Sequence, residues 1–270
     1  MTVTPAAAPT TAPTDHPSKP TLTLPPELAE EYQRAIQALV TEDDEPVDNL
    51  FSEKQQRLLV ESLYASWSHP RYGKRFLAAA NVGVFYSPYE SAIVPDVLLS
   101  VGVKIYPRVW EQEGKSYLNW IYGKPPDVVI EIVSNRKGGE LEHKAELYSW
   151  MRVPYYVVYD PKRELGGEVL RAFESTFQGW RPLADTWLPG VELKVVLWRG
   201  VYEDLEAEWL RWQDSEGVLV PTGRERAEAE RQRAEAAERQ VVTIQQQLEV
   251  ERQRNEQLKA RLRALGVELD

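Results

Sequence analysis

The feature that most constrains the fold is a pair of strand-like stretches separated by one helical stretch. The strand-like stretches read "PDVVIEIVS" (126–134) and "PYYVVYDP" (154–161), and both are rich in β-branched or aromatic residues. Between them, Leu141, Ala145 and Tyr148 recur at helical spacing and predict an amphipathic helix. A strand, a helix and a strand in this order predict a right-handed βαβ crossover with two parallel strands in one sheet.

Stretches on both sides extend this unit into a mixed domain. Residues 52–67 have leucines at helical spacing and predict a helix, with Ser52 as its N-cap. A shorter helix is predicted for residues 27–40. Further strands are predicted for "RFLAAANVGVFYS", "IVPDVLLSVGV", "EVLRAFEST", "GWRPLA" and "LKVVLW", the last three as an antiparallel hairpin and a sheet edge. The predicted fold class is α/β (α+β), with a central mixed sheet flanked by helices.

The C-terminal residues 222–266 differ from the rest of the chain because strong helix formers dominate them. A 3-4 repeat, apolar at most positions, continues through Val241, Ile244, Leu248, Glu251, Asn255, Leu258, Leu262 and Leu265. Asn255 shares the heptad position of Val241 and Leu248, where a buried Asn typically sets register and strand number. This pattern predicts a coiled coil, and hence a homo-oligomer such as a dimer. The alternative is a single surface helix that packs on its own domain.

Composition limits the remaining organisation and chemistry. Residues 1–26 are rich in Pro, Thr and Ala and predict a disordered tail. We expect a short helix and acidic linker at 27–44, the main domain at 45–205 and a connector at 206–221. The absence of cysteine excludes disulfides and thiolate metal sites, and three histidines argue against an all-histidine zinc site.

The chain shows neither a long apolar run nor the layout of a secretory signal, so we predict a cytoplasmic protein with no membrane partner. The net charge is −10, and much of it lies in residues 21–50, which hold eight acids and one base. Residues 51–221 hold 23 acids and 20 bases. The charge therefore neither supports nor excludes DNA as a partner.

Two acids and one lysine are the candidate site residues. Glu131 interrupts an apolar strand and has Val129 and Val133 on its own face, so we expect it to be buried. Asp96 opens the strand of "PDVLLSV", and Lys144 lies on the helix that follows Glu131. Carboxylates on adjacent strands can hold Mg²⁺, which neutralises phosphate charge during phosphodiester hydrolysis.

Each of these residues also has a purely structural interpretation. Asp96 is a plausible strand-start residue, Glu131 could face solvent, and Lys144 could pair with Glu140 on the helix surface. Glu53, in the first turn of the 52–67 helix, is either an accessory acid or a partner of the helix dipole. Asp127 opens its strand as Asp96 does, and it is a second candidate for the same role.

Together, "PDVLLSVGVK" and "PPDVVIEIVSNRKGGELEHKAELYSWMRVPYYVVYDP" resemble the Uma-type family of restriction endonucleases, within the PD-(D/E)XK nuclease superfamily. The resemblance covers about residues 45–200 and is strongest across 95–161. It implies a restriction-endonuclease-like core and DNA cleavage that depends on Mg²⁺ or Mn²⁺. It assigns Asp96 to the PD aspartate and Glu131 to the (D/E) position.

The resemblance has two departures. Val133 stands where the superfamily has a strand lysine, and members of this family supply that lysine from the next helix, which here is Lys144. Members often carry "HR" where this chain has Gln56 and Arg57. Glu53 matches the first-helix acid of the superfamily only loosely.

The sequence thus predicts a Mg²⁺-dependent endonuclease. Asp96, Glu131 and the backbone carbonyl of Ile132 are the predicted metal ligands, and Lys144 is the predicted catalytic cation. The alternative is a catalytically inactive nuclease-fold scaffold, or a DNA-binding module, that recruits partners through its coiled coil. An active site should bind Mg²⁺ or Mn²⁺ through Glu131, whereas a scaffold need not.

Overall fold

The computed structural model describes residues 26–38, 49–134 and 140–264. Its helices are α1 (Pro26–Gln37), α2 (Leu50–Ser66), α3 (Asn119–Tyr122), α4 (Glu140–Trp150) and α5 (Gly223–Ala264). Its strands are β1 (Phe76–Ala80), β2 (Val84–Phe85), β3 (Val97–Val101), β4 (Tyr117–Leu118), β5 (Val128–Ile132), β6 (Tyr155–Tyr159), β7 (Leu170–Thr176), β8 (Gly179–Pro182), β9 (Trp187–Leu188), β10 (Leu193–Tyr202) and β11 (Leu205–Gln213). Residues 1–25 of the predicted tail and 39–44 of the predicted linker lie outside the described residues.

A six-stranded mixed sheet forms the centre of the fold, in the order β1-β3-β5-β6-β7-β8. Strands β5 and β6 are parallel and are connected through α4, which confirms the predicted βαβ unit. The other neighbours in this sheet are antiparallel, including the predicted β7–β8 hairpin. The predicted fold class, with a central mixed sheet and flanking helices, is therefore confirmed.

Side chains alternate between the two faces of the sheet along each strand, and each face packs against a different helix. Val128 and Ile130 of β5 pack in one buried cluster with Leu59 and Leu63 of α2. Val129 packs on the opposite face, in the cluster that contains Tyr148 of α4. Alternation therefore directs Glu131 of β5 toward the α4 side of the sheet.

The N-terminus of α2 corrects one prediction. The N-cap is Asn49, whose side-chain oxygen accepts from the backbone N–H groups of Phe51 and Ser52, both at 3.1 Å. Ser52 lies inside the first turn, where its hydroxyl accepts a hydrogen bond from the Asn49 amide at 3.1 Å. Both residue types cap helices well, so the sequence alone did not distinguish them.

A second sheet, in the order β11-β10-β9, packs beside α2. The "LKVVLW" stretch begins β10 in this sheet, and β11 occupies part of the segment 206–221 that we expected to be a connector. Gln55 of α2 satisfies the backbone of Leu210, donating to its carbonyl and accepting from its N–H, each at 2.9 Å. The Trp212 indole donates to the Leu59 carbonyl at 2.9 Å. These buried bonds attach the second sheet to α2.

Helix α5 is attached to the domain at its N-terminus. Thr222 and Glu225 form a capping box, in which the Glu225 N–H donates to the Thr222 hydroxyl and the Thr222 N–H donates to the Glu225 carboxylate. The buried Arg211 guanidinium donates to the same carboxylate at 2.6 and 2.7 Å. The Gly223 N–H donates to Glu61 of α2 at 2.6 Å. Within the described ranges, no helix is long and apolar enough to cross a membrane.

Candidate functional site

The register of β3 and β5 places the two candidate acids opposite each other. The antiparallel pairs are Val97 with Ile130 and Leu98 with Val129, so one further step sets Asp96 opposite Glu131. One Asp96 oxygen accepts from the Ile132 backbone N–H at 2.5 Å. The N–H and C=O of a strand residue point to the same edge, so the Ile132 carbonyl also faces the β3 side.

Helix α4 contacts both oxygens of the Glu131 carboxylate. The Lys144 ammonium donates to Glu131 Oε2 at 2.9 Å, and the Tyr148 hydroxyl donates to Glu131 Oε1 at 2.5 Å. Lys144 also donates to the Val94 carbonyl at 3.1 Å, just before Asp96 in the chain. The Glu131 side chain is only 4 % exposed. These contacts explain how a carboxylate is accommodated in an apolar strand, because buried charges are usually paired and hydrogen-bonded.

Tyr148 is a member of this site that the sequence did not reveal. Its recurrence with Leu141 and Ala145 predicted a core position, and the side chain is indeed fully buried. Burial raises the pKa of Tyr148 well above its ordinary value, and the neighbouring Glu131 raises it further. The hydroxyl therefore keeps its proton and acts as a donor to Glu131.

Gln56 of α2 is a second residue that sequence reasoning did not assign to the site. Its amide donates to the other Asp96 oxygen at 3.3 Å. Asn81, which follows β1, donates to the Gln56 carbonyl oxygen at 3.0 Å. The sequence shows Gln56 in place of the histidine of "HR". The contact of Gln56 with Asp96 was not visible in the sequence, because it depends on how α2 crosses the sheet.

Glu53 of α2 forms an ion pair with Arg57 of the same helix. Arg57 donates to Glu53 at 3.0 Å through Nε and to Glu203 at 3.0 Å through Nη1. Lys54 also binds Glu203, at 2.6 Å. These ion pairs link the start of α2 to the β10–β11 turn, and each contains a partly exposed side chain.

Asp127 lies at the opposite end of the β3–β5 pair from Asp96. It accepts from the Val101 backbone N–H at 2.7 Å and forms an ion pair with Lys124. Lys124 also donates to the Val101 carbonyl at 2.9 Å. These contacts explain Asp127 as a structural residue. Asp96 makes the equivalent contact with a backbone N–H, but it lies opposite a second acid, Glu131.

Val133 occupies the position two residues after Glu131 and is buried with the apolar cluster of the α4 face. A valine offers no positive charge there. The ammonium that reaches Glu131 comes instead from Lys144 of α4. This is the arrangement that the resemblance in the sequence implied.

The donor set fits a hard divalent cation. Asp96 and Glu131 supply carboxylate oxygens, and the Ile132 carbonyl faces the same strand edge. Among the residues that the structure describes, no three His, Cys, Asp or Glu side chains form a group that could hold a metal ion. Mg²⁺ does not require such a group, because it usually takes one or two carboxylates together with waters and substrate phosphate.

The described residues form a mixed α/β fold, with a central six-stranded mixed sheet flanked by helices. The Uma2 family model, described as "Putative restriction endonuclease", matches residues 43–181, slightly more than half of the 270-residue chain. The chain belongs to this family. The matched region contains Asp96, Glu131 and Lys144. No curated protein matches the sequence.

Proposed function

We propose that the protein is a metal-dependent endonuclease that hydrolyses DNA phosphodiester bonds with Mg²⁺, or with Mn²⁺ in its place. The observation that carries this proposal is the approach of Lys144 to Glu131, at 2.9 Å, beside the opposed Asp96. Membership of a restriction endonuclease family supports DNA as the substrate. Asp96, Glu131 and the Ile132 carbonyl are the proposed metal ligands.

The residues of the chain have separate roles in this proposal. When bound, the metal neutralises phosphate charge and lowers the pKa of water. Asp96 and Glu131 hold that cation on two paired core strands, which keeps their separation constant. Lys144 supplies positive charge beside Glu131, where it stabilises the attacking water or the negative charge that develops on the phosphate.

The direct test is incubation of the purified protein with supercoiled plasmid DNA, with and without Mg²⁺ or Mn²⁺. We expect nicked or linear DNA only with the metal, and none with EDTA. The Asp96→Ala and Glu131→Ala variants should lose this cleavage while keeping the wild-type circular dichroism spectrum. Wild-type cleavage by both variants would contradict the site assignment.

We also propose that a second copy of this chain covers the apolar seam of α5. Val241, Ile244 and Leu248 recur at 3-4 spacing, and Leu258 continues the repeat after Glu251 and Asn255. Each of the four apolar residues is about half exposed, between 47 % and 59 %. A seam of this type buries its side chains against a matching seam. Asn255 supports self-association because an Asn at this heptad position pairs with its counterpart in the partner helix.

The mass of the protein in solution tests this association. The Ile244→Glu and Leu248→Glu double variant should reduce the mass from light scattering to that of one chain. Val242→Glu is the matched control, because Val242 is exposed on α5 but lies outside the seam. A wild-type protein of single-chain mass would contradict the proposal.

The inactive scaffold is the second candidate, and Val133 is the observation that favours it. Metal titration by calorimetry separates the two functions. The proposed nuclease binds Mn²⁺ with an affinity that depends on Glu131. A protein that binds DNA or partner chains, but shows no Glu131-dependent metal binding, would be a scaffold or a DNA-binding module.

A further inference from the structure

The contact between Tyr148 and Glu131 is as close as any in the candidate site. Tyr148 lies one helical turn after Lys144 on α4, so both side chains point to the same face of the helix. They donate to different oxygens of one carboxylate, Lys144 to Oε2 and Tyr148 to Oε1. The helix therefore holds Glu131 at two points.

We propose that Tyr148 is a positioning residue, which orients the Glu131 carboxylate for metal binding through its hydroxyl. This inference rests on the proposed function, since it assigns Tyr148 a role in the same metal site. A carboxylate held by a single hydrogen bond can rotate about its terminal bond. A second donor on the other oxygen restricts that rotation. The remaining lone pairs of the carboxylate oxygens then point in fixed directions.

Burial strengthens this constraint. Tyr148 is fully buried and Glu131 is nearly so, and a hydrogen bond to a charged group is strong where water is excluded. Groups that bond to metal ligands in this way commonly alter metal affinity by about 10- to 100-fold when they are removed. The ring of Tyr148 fills the core, whereas its hydroxyl is the part that contacts Glu131.

The chain contains a matched control for the hydroxyl. Tyr156 of β6 belongs to the same buried cluster, and its ring centroid lies 5.5 Å from that of Tyr148. Its hydroxyl is buried and has no hydrogen-bond partner among the described residues. Tyr148→Phe and Tyr156→Phe therefore remove the same atom from the same apolar layer, and only the first removes a contact with Glu131.

The experiment compares Mn²⁺ binding by the wild type and both variants, with calorimetry on the full chain in the absence of DNA. We expect Tyr148→Phe to raise the Mn²⁺ dissociation constant about tenfold or more, and Tyr156→Phe to leave it unchanged. The thermal unfolding midpoint of each metal-free variant reports its folding separately. In plasmid cleavage at saturating Mn²⁺, the rate of Tyr148→Phe should recover toward the wild-type value.

The outcomes separate this inference from the proposed function. If the wild type binds Mn²⁺ and Tyr148→Phe binds it equally well, Tyr148 does not position Glu131, although the metal site stands. Equal weakening in both phenylalanine variants would also overturn the inference, because the effect would then come from packing. If the wild type binds no Mn²⁺, the proposed function fails and this inference fails with it.

Discussion

The two ends of the β3–β5 pair have the same Pro-Asp dipeptide, but different residues surround the aspartate at each end. At each end a Pro-Asp dipeptide opens one strand, and the aspartate accepts the backbone N–H at the end of the other strand. Asp127 has Lys124 as its ion-pair partner, and Lys124 also donates to the Val101 carbonyl at the end of β3. Asp96 has a second acid, Glu131, in the opposite position.

This difference shows that the aspartate alone does not define a site. At the other end of the pair a single carboxylate, Asp127, accepts the Val101 backbone N–H and forms an ion pair with Lys124. A second buried acid beside the first is costly unless cations or donors compensate it. Here Lys144, Tyr148 and Gln56 provide the compensation. Such an arrangement supports the cation-binding role that we propose for Asp96 and Glu131.

The largest expected difference between the two ends comes from replacing each aspartate by asparagine. Asp96→Asn should lower Mg²⁺-dependent plasmid cleavage by about a hundredfold or more, because it removes the charge of one of the two proposed carboxylate ligands. Asp127→Asn should retain cleavage and lower the free energy of unfolding by about 1–3 kcal/mol, because Lys124 loses its charged partner. Initial cleavage rates and urea unfolding measure the two effects. Similar losses of cleavage in both variants would remove the distinction between the ends.

The two lysines provide the next comparison. Lys144→Met should reduce the cleavage rate by about a hundredfold, since a cation that stabilises developing charge is lost. Lys124→Met should leave the rate unchanged and cost about 1 kcal/mol of stability, because Lys124 is partly exposed. Rates at saturating DNA and metal, with the unfolding midpoint of each variant, test this pair. Unchanged cleavage in Lys144→Met would show that Lys144 has only a structural role.

A smaller effect is expected from two neighbouring glutamines of α2. Gln56→Leu should weaken Mn²⁺ binding about tenfold, because it removes a donor to Asp96. Gln55→Leu should leave Mn²⁺ binding unchanged and lower the free energy of unfolding by about 2–3 kcal/mol, because the buried Leu210 backbone loses its partners. Calorimetric titration and urea unfolding separate the two variants. Weaker Mn²⁺ binding in Gln55→Leu would show that general loosening of α2, and not the Asp96 contact, affects the site.

Much of the architecture was predictable because it depends on local periodicity. The βαβ unit, the α2 helix and the face on which Glu131 lies all follow from alternation and helical spacing near each residue. The approach of Asp96, Glu131 and Lys144 follows from the pairing of β3 with β5 and from the position of α4. The contacts of Gln56 and Tyr148 were not predictable in this way. An amide on a buried helix face and a tyrosine among apolar residues look like ordinary core residues until their partners are known.

Segment 206–221 illustrates a different limit. We expected a connector there, whereas β11 pairs with β10 along nine residues in the structure. Charged side chains on a strand with one exposed face do not break the backbone ladder. Glu53 is a related case, because its place in the first turn of α2 did not reveal that Arg57 would donate both to Glu53 and to Glu203.

The attachment of α5 at its N-terminus fixes the direction in which the long helix leaves the rest of the fold. Its 42 residues would extend about 63 Å, and its first turn is bonded to both α2 and β11. A helix joined through a flexible linker would move independently of the sheet and of α2. Because the first turn of α5 is bonded to α2 and β11, the direction of the long helix is instead fixed relative to the sheet that carries Asp96 and Glu131.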